Sequence, residues 1–293
     1  METPILCSMG GGFSSTAWLP RVLLETYPKE QIHFVTAVLP NEHPSMWKLY
    51  DAVSKSLDIS VTYIAYDKKA DKKFKIIRPE DRCDTLHLWT PFDIFDDVKM
   101  LGNSRFDPCS RILKRETLFN YVKDRYPEGN VKLAVGIHKE EIDRMLSIYE
   151  NWKAKGYEVL FPLIDLEKPS KEEQSRLLLE WYDSVLDLYE LGFEHNNCHG
   201  ACVKAGQRQW ALLWYYYPNV YRTWEIREAQ WREKNGEYSI LKKRMDGKTV
   251  YLTLKEFREN YLEPALSNPQ EGFLARYIDS LPGLPGCYTC SSI

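Results

Sequence analysis

A glycine-rich segment near the N-terminus, Ser8-Met9-Gly10-Gly11-Gly12-Phe13-Ser14-Ser15-Thr16, has the composition of a phosphate-binding loop. An apolar run precedes it and helical apolar spacing follows it, which predicts a strand, a glycine loop and a helix. Backbone N–H groups at such a junction hold phosphate, glycines let the anion approach closely, and the three hydroxyls add donors. The segment lacks the Lys-Ser/Thr end of a Walker loop and the spacing of a dinucleotide motif. A tight strand-to-helix connection without a ligand is the alternative interpretation.

Two later segments carry charged side chains beside predicted elements of the sheet domain. The first begins a predicted helix and contains Lys114. In the second, Gly136 follows a predicted strand and permits a close approach at the strand end, where a parallel sheet binds ligands. Glu141 and Arg144 share a helix face because they are three residues apart. These three charged residues are the candidate catalytic groups, and a solvated helix face or a surface ion pair is the alternative. His138 is more typical of a structural donor than of an acid or base.

Four of the seven cysteines form two close pairs, Cys198-x-x-x-Cys202 and Cys287-x-x-Cys290. We expect no disulfide framework in a chain of this length without an export signal. Paired thiolates are typical of structural zinc and iron–sulfur sites, and a metal here would hold down the Gly/Pro-rich tail. Four buried, small apolar side chains are the alternative.

Strands and helices are predicted to alternate through the first half of the chain. Apolar or β-branched runs mark the strands, at residues 4–8, 32–39, 61–66, 132–137 and 158–164. Helical spacing separates them, which is the pattern of an α/β fold with a doubly wound parallel sheet. Residues 68–108 lose this pattern and are predicted to be an irregular excursion.

A change of pattern near Pro169 predicts two regions, a nucleotide-binding domain at 1–169 and an accessory region at 170–293. The accessory region is predicted to be mainly helical. It also contains a turn signal, Asp246-Gly247, within a predicted hairpin at 238–253. The tail, residues 280–293, carries the last two cysteines.

Composition excludes several classes of function. With 39 basic and 42 acidic side chains in 293 residues, the net charge is −3, so no overall field draws the chain to nucleic acid or to an anionic membrane. No apolar run approaches the roughly 20 residues that span a bilayer, and the N-terminus lacks the order of a signal peptide. We therefore expect a cytoplasmic protein with no membrane partner. Lysine clusters at 68–75 and 242–248 could meet tRNA or DNA phosphates, although a solvated surface is favoured.

Taken in order, these motifs resemble the PP-loop, or N-type ATP pyrophosphatase, family in the phosphoadenosine-phosphosulfate (PAPS) reductase-like form often found in phage and bacterial genomes. Ser8 to Thr16 is similar to that family's S-x-G-G-G-x-x-S-T loop, and Gly136 to Arg144 to its G-I-x-x-x-E-x-x-R. The segment from Cys109 to Lys114 resembles its C-S-x-x-L-K helix, which makes Lys114 a candidate to neutralise phosphate or sulfate on the nucleotide. Phe161 to Ile164 and the stretch 191–207 extend the resemblance.

The resemblance implies an adenine nucleotide α-hydrolase-like fold that binds ATP or a PAPS-like nucleotide together with Mg²⁺. The candidate nucleotide-binding residues are Ser8, Gly10, Gly11, Gly12, Ser14, Ser15, Thr16 and Gly136. In iron–sulfur adenylylsulfate reductases a cysteine that opens the equivalent helix is a cluster ligand, which makes Cys109 a fifth candidate ligand. Ser14 stands where an aspartate often lies in that family, so the loop offers no aspartate for a metal-binding or catalytic role.

Three functions agree with these features. The favoured one is an enzyme that splits ATP between its α- and β-phosphates and adenylates a substrate for sulfur or nitrogen transfer, with a nucleobase, tRNA or DNA as candidate acceptor. The second is a PAPS or adenylylsulfate reductase, in which a cysteine attacks sulfur; the usual E-C-G-[LI]-H motif is absent from this sequence. The third is a non-catalytic nucleotide-binding accessory protein, which the missing loop aspartate favours.

Overall fold

The computed structural model describes residues 2–82, 87–245 and 247–283. Six strands form the main sheet: β1 (Ile5–Ser8), β2 (Ile32–Ala37), β3 (Val61–Tyr66), β4 (Phe74–Ile77), β5 (Lys132–Ala134) and β6 (Glu158–Leu160). Their order is β4-β3-β2-β1-β5-β6, in which β4 runs antiparallel to β3 and every other neighbouring pair is parallel. The predicted α/β class is confirmed, but the sheet is mostly parallel and not wholly parallel as predicted, because β4 is antiparallel.

Helices cover both faces of this sheet. The helices of the first half are α1 (Leu19–Thr26), α2 (Pro44–Ser56), α3 (Pro91–Val98), α4 (Pro108–Ser110), α5 (Thr117–Arg125), α6 (Ile142–Lys153) and α7 (Lys171–Tyr182). Successive strand residues point to opposite faces, so Ile5 and Cys7 lie in the core under α1, α2 and α7, whereas Leu6 lies in the core under α5 and α6.

Shorter helical turns join these elements. π-helical turns occupy Phe13–Trp18, directly before α1, and Arg111–Glu116, between α4 and α5. The 3₁₀ turns are Lys29–Gln31, Pro79–Asp81, Lys139–Glu141 and Asn197–Gly200. The first π turn begins immediately after the glycine loop, so the loop and α1 form one continuous unit.

The second half is mainly helical, as predicted. Its elements are α8 (Asp187–Glu190), α9 (Gln207–Tyr216), α10 (Pro218–Asn235), β7 (Leu241–Met245), β8 (Lys248–Leu252), α11 (Leu254–Phe257), a π turn (Arg258–Leu262), α12 (Glu263–Leu266) and α13 (Phe273–Ser280). β7 and β8 pair antiparallel and confirm the predicted hairpin. Asp246 of its turn, together with Cys287 and Cys290 of the tail, lies outside the described residues.

The prediction that residues 68–108 form an irregular excursion is wrong in two places, because this segment contains the strand β4 and the helix α3. Charged residues around β4 hide its short apolar pattern. The sequence does contain a helix-start signal for α3, since Thr90 and Asp93 form a capping box and Pro91 occupies the first helical position. No helix within the described residues has the length and apolar character needed to cross a membrane.

The order of the strands places a switch point beside β1. The chain runs outward from β1 through β2 and β3 to β4, and then returns to β5 on the other side of β1. Open α/β sheets bind ligands at the carboxyl ends of the strands at such a point. The boundary predicted at Pro169 stays a prediction. Tyr182 of α7 belongs to the same core as β1, and its hydroxyl donates to the carbonyl of Ala17.

Candidate anion-binding site

A cavity of about 100 Å³ lies at the switch point between β1 and β5. Its walls come from four segments: the glycine loop, the connection after β5, the start of α7, and residues 189–197. The predicted site residues that line it are Gly12, Ser14, Ser15, Gly136, Glu141 and Arg144. The structure therefore brings together two motifs that are more than a hundred residues apart in the sequence. Ser8, Gly10, Gly11 and Thr16 are not among the lining residues.

Hydrogen bonds within the glycine loop fix its shape. The Gly10 N–H donates to Ser15 Oγ at 3.1 Å, and the Gly11 N–H donates to Thr16 Oγ1 at 2.8 Å. The Ser15 and Thr16 side chains are buried, and their hydroxyl oxygens accept hydrogen bonds from backbone N–H groups of the loop. The sequence had suggested that these hydroxyls donate to a ligand. Gly11 has φ of +82°, and a Cβ at this position would lie 2.2 Å from Met46 Cε. Only glycine fits there without strain.

Gly136 allows the glycine loop to approach the end of β5. A Cβ at Gly136 would lie 3.0 Å from Ser15 Cα and 3.1 Å from the carbonyl oxygen of Ser14. The close approach expected at Gly136 is thus made by the loop backbone of the protein itself. This contact closes one wall of the cavity.

Charged side chains give the cavity an excess of positive charge. The Arg144 guanidinium lies 2.5 Å from Glu141 Oε1, and Lys168 Nζ lies 3.8 Å from Glu141 Oε2. The Arg144 and Glu141 side chains are 15% and 12% exposed, so their pair is more shielded than an ordinary surface ion pair. Three cations, Arg144, Lys168 and Lys171, face two carboxylates, Glu141 and Glu194. The cavity is therefore suited to an anion.

Ser14, which lines the cavity, forms a hydrogen-bonded pair with the buried His138. Ser14 Oγ lies 2.9 Å from His138 Nε2, and His138 Nδ1 lies 3.0 Å from the carbonyl oxygen of Leu166. A carbonyl oxygen only accepts, so Nδ1 carries the proton of the neutral imidazole and the Ser14 hydroxyl donates to Nε2. Burial lowers the pKa of His138, which keeps the ring neutral near pH 7.

Compared with known protein families, curated proteins and solved structures, the chain shows no match. A functional conclusion therefore depends on the geometry of the site and on the sequence motifs that form it.

Lys114 is placed in a buried ion pair and does not line the cavity. Its Nζ lies 2.7 Å from Glu42 Oε1, and the two side chains are 9% and 1% exposed. The other carboxylate oxygen of Glu42 accepts from the Cys198 N–H at 2.7 Å. Lys114 thus holds the loop after β2 against the cysteine segment, a role that the helix motif did not indicate.

Three of the five candidate metal ligands meet in a second, smaller cavity. Cys109, Cys198 and Cys202 line a space of about 10 Å³, close to the lower limit for a single water molecule. Within the described residues, no group of three or more His, Cys, Asp or Glu side chains is arranged to hold a metal. Cys198 and His199 both adopt left-handed backbone conformations, with φ of 54° and 53°. Such strain costs about 1–3 kcal/mol per residue and is concentrated at functional sites.

Sequence reasoning missed several groups around the first cavity. Lys168 and Lys171 carried no pattern beyond their charge, and Tyr189 lies under the Lys171 ammonium, 3.5 Å from the ring centre. Asn196 is buried, and its Nδ2 donates to the Gly11 carbonyl at 2.9 Å. The run of polar residues directly before Cys198 was the one available signal for this contact.

Proposed function

We propose that the chain is a PAPS reductase-like PP-loop protein that binds ATP or a related adenine nucleotide and adenylates a substrate for sulfur or nitrogen transfer. The observation that carries this proposal is the cavity at the switch point, in which the glycine loop faces Arg144 and Lys168. Ligands of open α/β sheets bind at this position. Two motifs of the resemblance, the glycine loop and the segment from Gly136 to Arg144, contribute to its walls, together with part of the stretch 191–207.

The size of the cavity favours one part of the nucleotide as its ligand. Pockets for drug-sized ligands have volumes of roughly 300–1,000 Å³, whereas this one has about 100 Å³. It would accept phosphate groups, and the ribose and base would lie outside it. Arg144 would stabilise the negative charge that develops on the leaving pyrophosphate, and Glu141 holds its guanidinium in place.

Two metals belong to the proposal. Mg²⁺ prefers oxygen ligands and is usually held by one or two carboxylates with the substrate phosphates; Glu194 is a suitable donor at the cavity wall. Zinc or an iron–sulfur cluster would be held by four of the five candidate thiolates, those of Cys109, Cys198, Cys202, Cys287 and Cys290, and the first three of these line the second cavity. This second metal would fasten the tail or carry sulfur.

Thermal unfolding with ATP, pyrophosphate and AMP tests the nucleotide site. A ligand at 100 times its Kd stabilises the native state by about 2.7 kcal/mol, so ATP and pyrophosphate should raise the Tm and AMP should raise it less. Arg144→Gln should remove the shift. Arg176→Gln is the matched control, because Arg176 is 62% exposed and forms ion pairs only on the surface of α7. The absence of a shift with both ATP and pyrophosphate would refute the proposal.

Product analysis then separates the reactions. Adenylation requires pyrophosphate release from ATP when an acceptor is present, whereas a reductase would release sulfite from PAPS in the presence of a thiol reductant. Sulfite release without pyrophosphate release would replace the proposed function by the reductase. Binding without either product would identify a nucleotide-binding accessory protein.

A further inference from the structure

We propose that Ser14 is a nucleophile of this site and that His138 is its general base. The inference rests on the proposed function, because the electrophile is a phosphoanhydride phosphorus bound in the cavity. An activated nucleophile needs a base within hydrogen-bond distance and a third group that orients the base. Ser14 Oγ, His138 Nε2 and the Leu166 carbonyl form this chain, with separations of 2.9 Å and 3.0 Å.

The direction of the hydrogen bonds sets the role of Ser14. Since its hydrogen is donated to His138, the hydroxyl cannot donate the same hydrogen to a phosphate oxygen. Its oxygen lone pairs remain for a ligand, and Ser14 lines the cavity. A side chain that served only to bind the anion would have to offer its hydrogen to the ligand. The geometry therefore suits attack on an electrophile.

His138 is fixed in the orientation that this role requires. The residue is 0% exposed, and its ring lies 5.3 Å from that of Trp18 between centroids. The Leu166 carbonyl anchors Nδ1 and stabilises the imidazolium that forms when Nε2 takes a proton. The positive excess supplied by Arg144 and Lys168 selects a phosphoryl electrophile over an uncharged ester.

The reaction has two steps. Ser14 Oγ forms a bond to phosphorus while the bond from phosphorus to the bridging oxygen breaks; the bridging oxygen leaves with the electron pair, and the hydroxyl proton passes to His138 Nε2. A second nucleophile, either water or the acceptor, then attacks phosphorus and the Oγ–phosphorus bond breaks. His138 returns its proton to Ser14 Oγ, and the second nucleophile releases its own proton to solvent.

Rapid acid quench with ATP labelled at either the α- or the γ-phosphorus tests this inference on the full chain with Mg²⁺. We expect an acid-stable phosphoester on Ser14, which peptide mass spectrometry would locate, and the label that is retained identifies the phosphorus attacked. Ser14→Ala should abolish the ester. His138→Gln keeps a hydrogen-bond acceptor but cannot take a proton, so ester formation should slow by about 10²–10⁴-fold. Ser280→Ala, an exposed serine of α13, is the control.

The outcomes separate this inference from the proposed function. If ATP and pyrophosphate do not raise the Tm of the wild-type protein, both are overturned. If they do, the inference alone is overturned by any of three results: no acid-stable ester at any quench time, an ester that persists in Ser14→Ala, or His138→Gln that reacts at the wild-type rate. The thermal shift of each variant shows whether it still folds and binds.

Discussion

Replacing Lys114 by methionine is expected to lower the free energy of unfolding by about 3–5 kcal/mol, because it leaves a buried carboxylate without its counter-charge. The Glu42 side chain is 1% exposed, so water cannot replace the lost ammonium. Globular proteins have total stabilities of about 5–15 kcal/mol, so this loss is a large fraction of the whole.

A double variant separates the charge from the packing. In Lys114→Met combined with Glu42→Gln, the amide oxygen still accepts from the Cys198 N–H, and no charge remains buried. The remaining loss should be about 1–3 kcal/mol, for one buried polar group left without its partner. The double variant should therefore be more stable than Lys114→Met alone.

Urea unfolding measures both effects, and a lower midpoint with an unchanged slope identifies a loss of stability in the native state. The same variants should be titrated with pyrophosphate. If Lys114→Met is as stable as wild type but loses the pyrophosphate-dependent shift in Tm, Lys114 is a phosphate ligand and the structural role of the Glu42 pair is refuted.

Other predictions concern single positions. Gly12→Ala should keep the stability of the fold, since its Cβ would lie 3.7 Å from the Tyr189 hydroxyl, and it should weaken the pyrophosphate-dependent shift in Tm because Gly12 lines the cavity. Gly11→Ala should unfold at a lower urea concentration because of its positive φ and the contact of its Cβ with Met46. Equal stability of the two variants would contradict this reasoning. Burial lowers the pKa of His199 from 6.5 to about 4. The folded state therefore binds fewer protons than the unfolded state between these values, and stability should fall as the pH is lowered through this window. His199→Asn, which tolerates the left-handed backbone, should flatten that dependence in urea unfolding, and an unchanged dependence would count against it. Metal analysis of anaerobically purified protein should find zinc or iron, lowered by Cys198→Ser and unchanged in Cys7→Ala; protein with neither metal would leave the thiols as packing residues.

Local patterns predicted the elements that form the anion cavity. The apolar run before Ser8 specifies β1, and the glycines that follow indicate a turn with unusual backbone angles, which Gly11 confirms with φ of +82°. Gly136 at the end of β5 indicated a close approach, and the structure identifies the approaching group as the loop backbone. Each of these features depends on a few consecutive residues, so each is readable from one sequence.

Pairs that are distant in sequence were not readable. Lys114 and Glu42 are separated by 72 positions, and Ser14 and His138 by 124. Helical or strand periodicity shows which face of an element is buried, but it does not show which polar group from another element is buried against it. For this reason the ion pair of Lys114 with Glu42 was not predicted, and the phosphate-binding role of Lys114 stays a prediction. The expectation that His138 is a structural donor agrees with its hydrogen bond to the Leu166 carbonyl, whereas its contact with Ser14 was not predicted.

The segment from Asn196 to Cys198 joins the two cavities through a very short stretch of backbone. At one end, the Asn196 side-chain amide donates a hydrogen bond to the Gly11 carbonyl of the glycine loop. At the other end, the Cys198 N–H donates to the Glu42 carboxylate. A shift of the loop on anion binding would be passed on to the Cys198 thiol across two peptide bonds. Because linkage between sites is reciprocal, the redox or metal-bound state of Cys198 should change the affinity for the anion by the same factor by which the anion changes the equilibrium at the thiol.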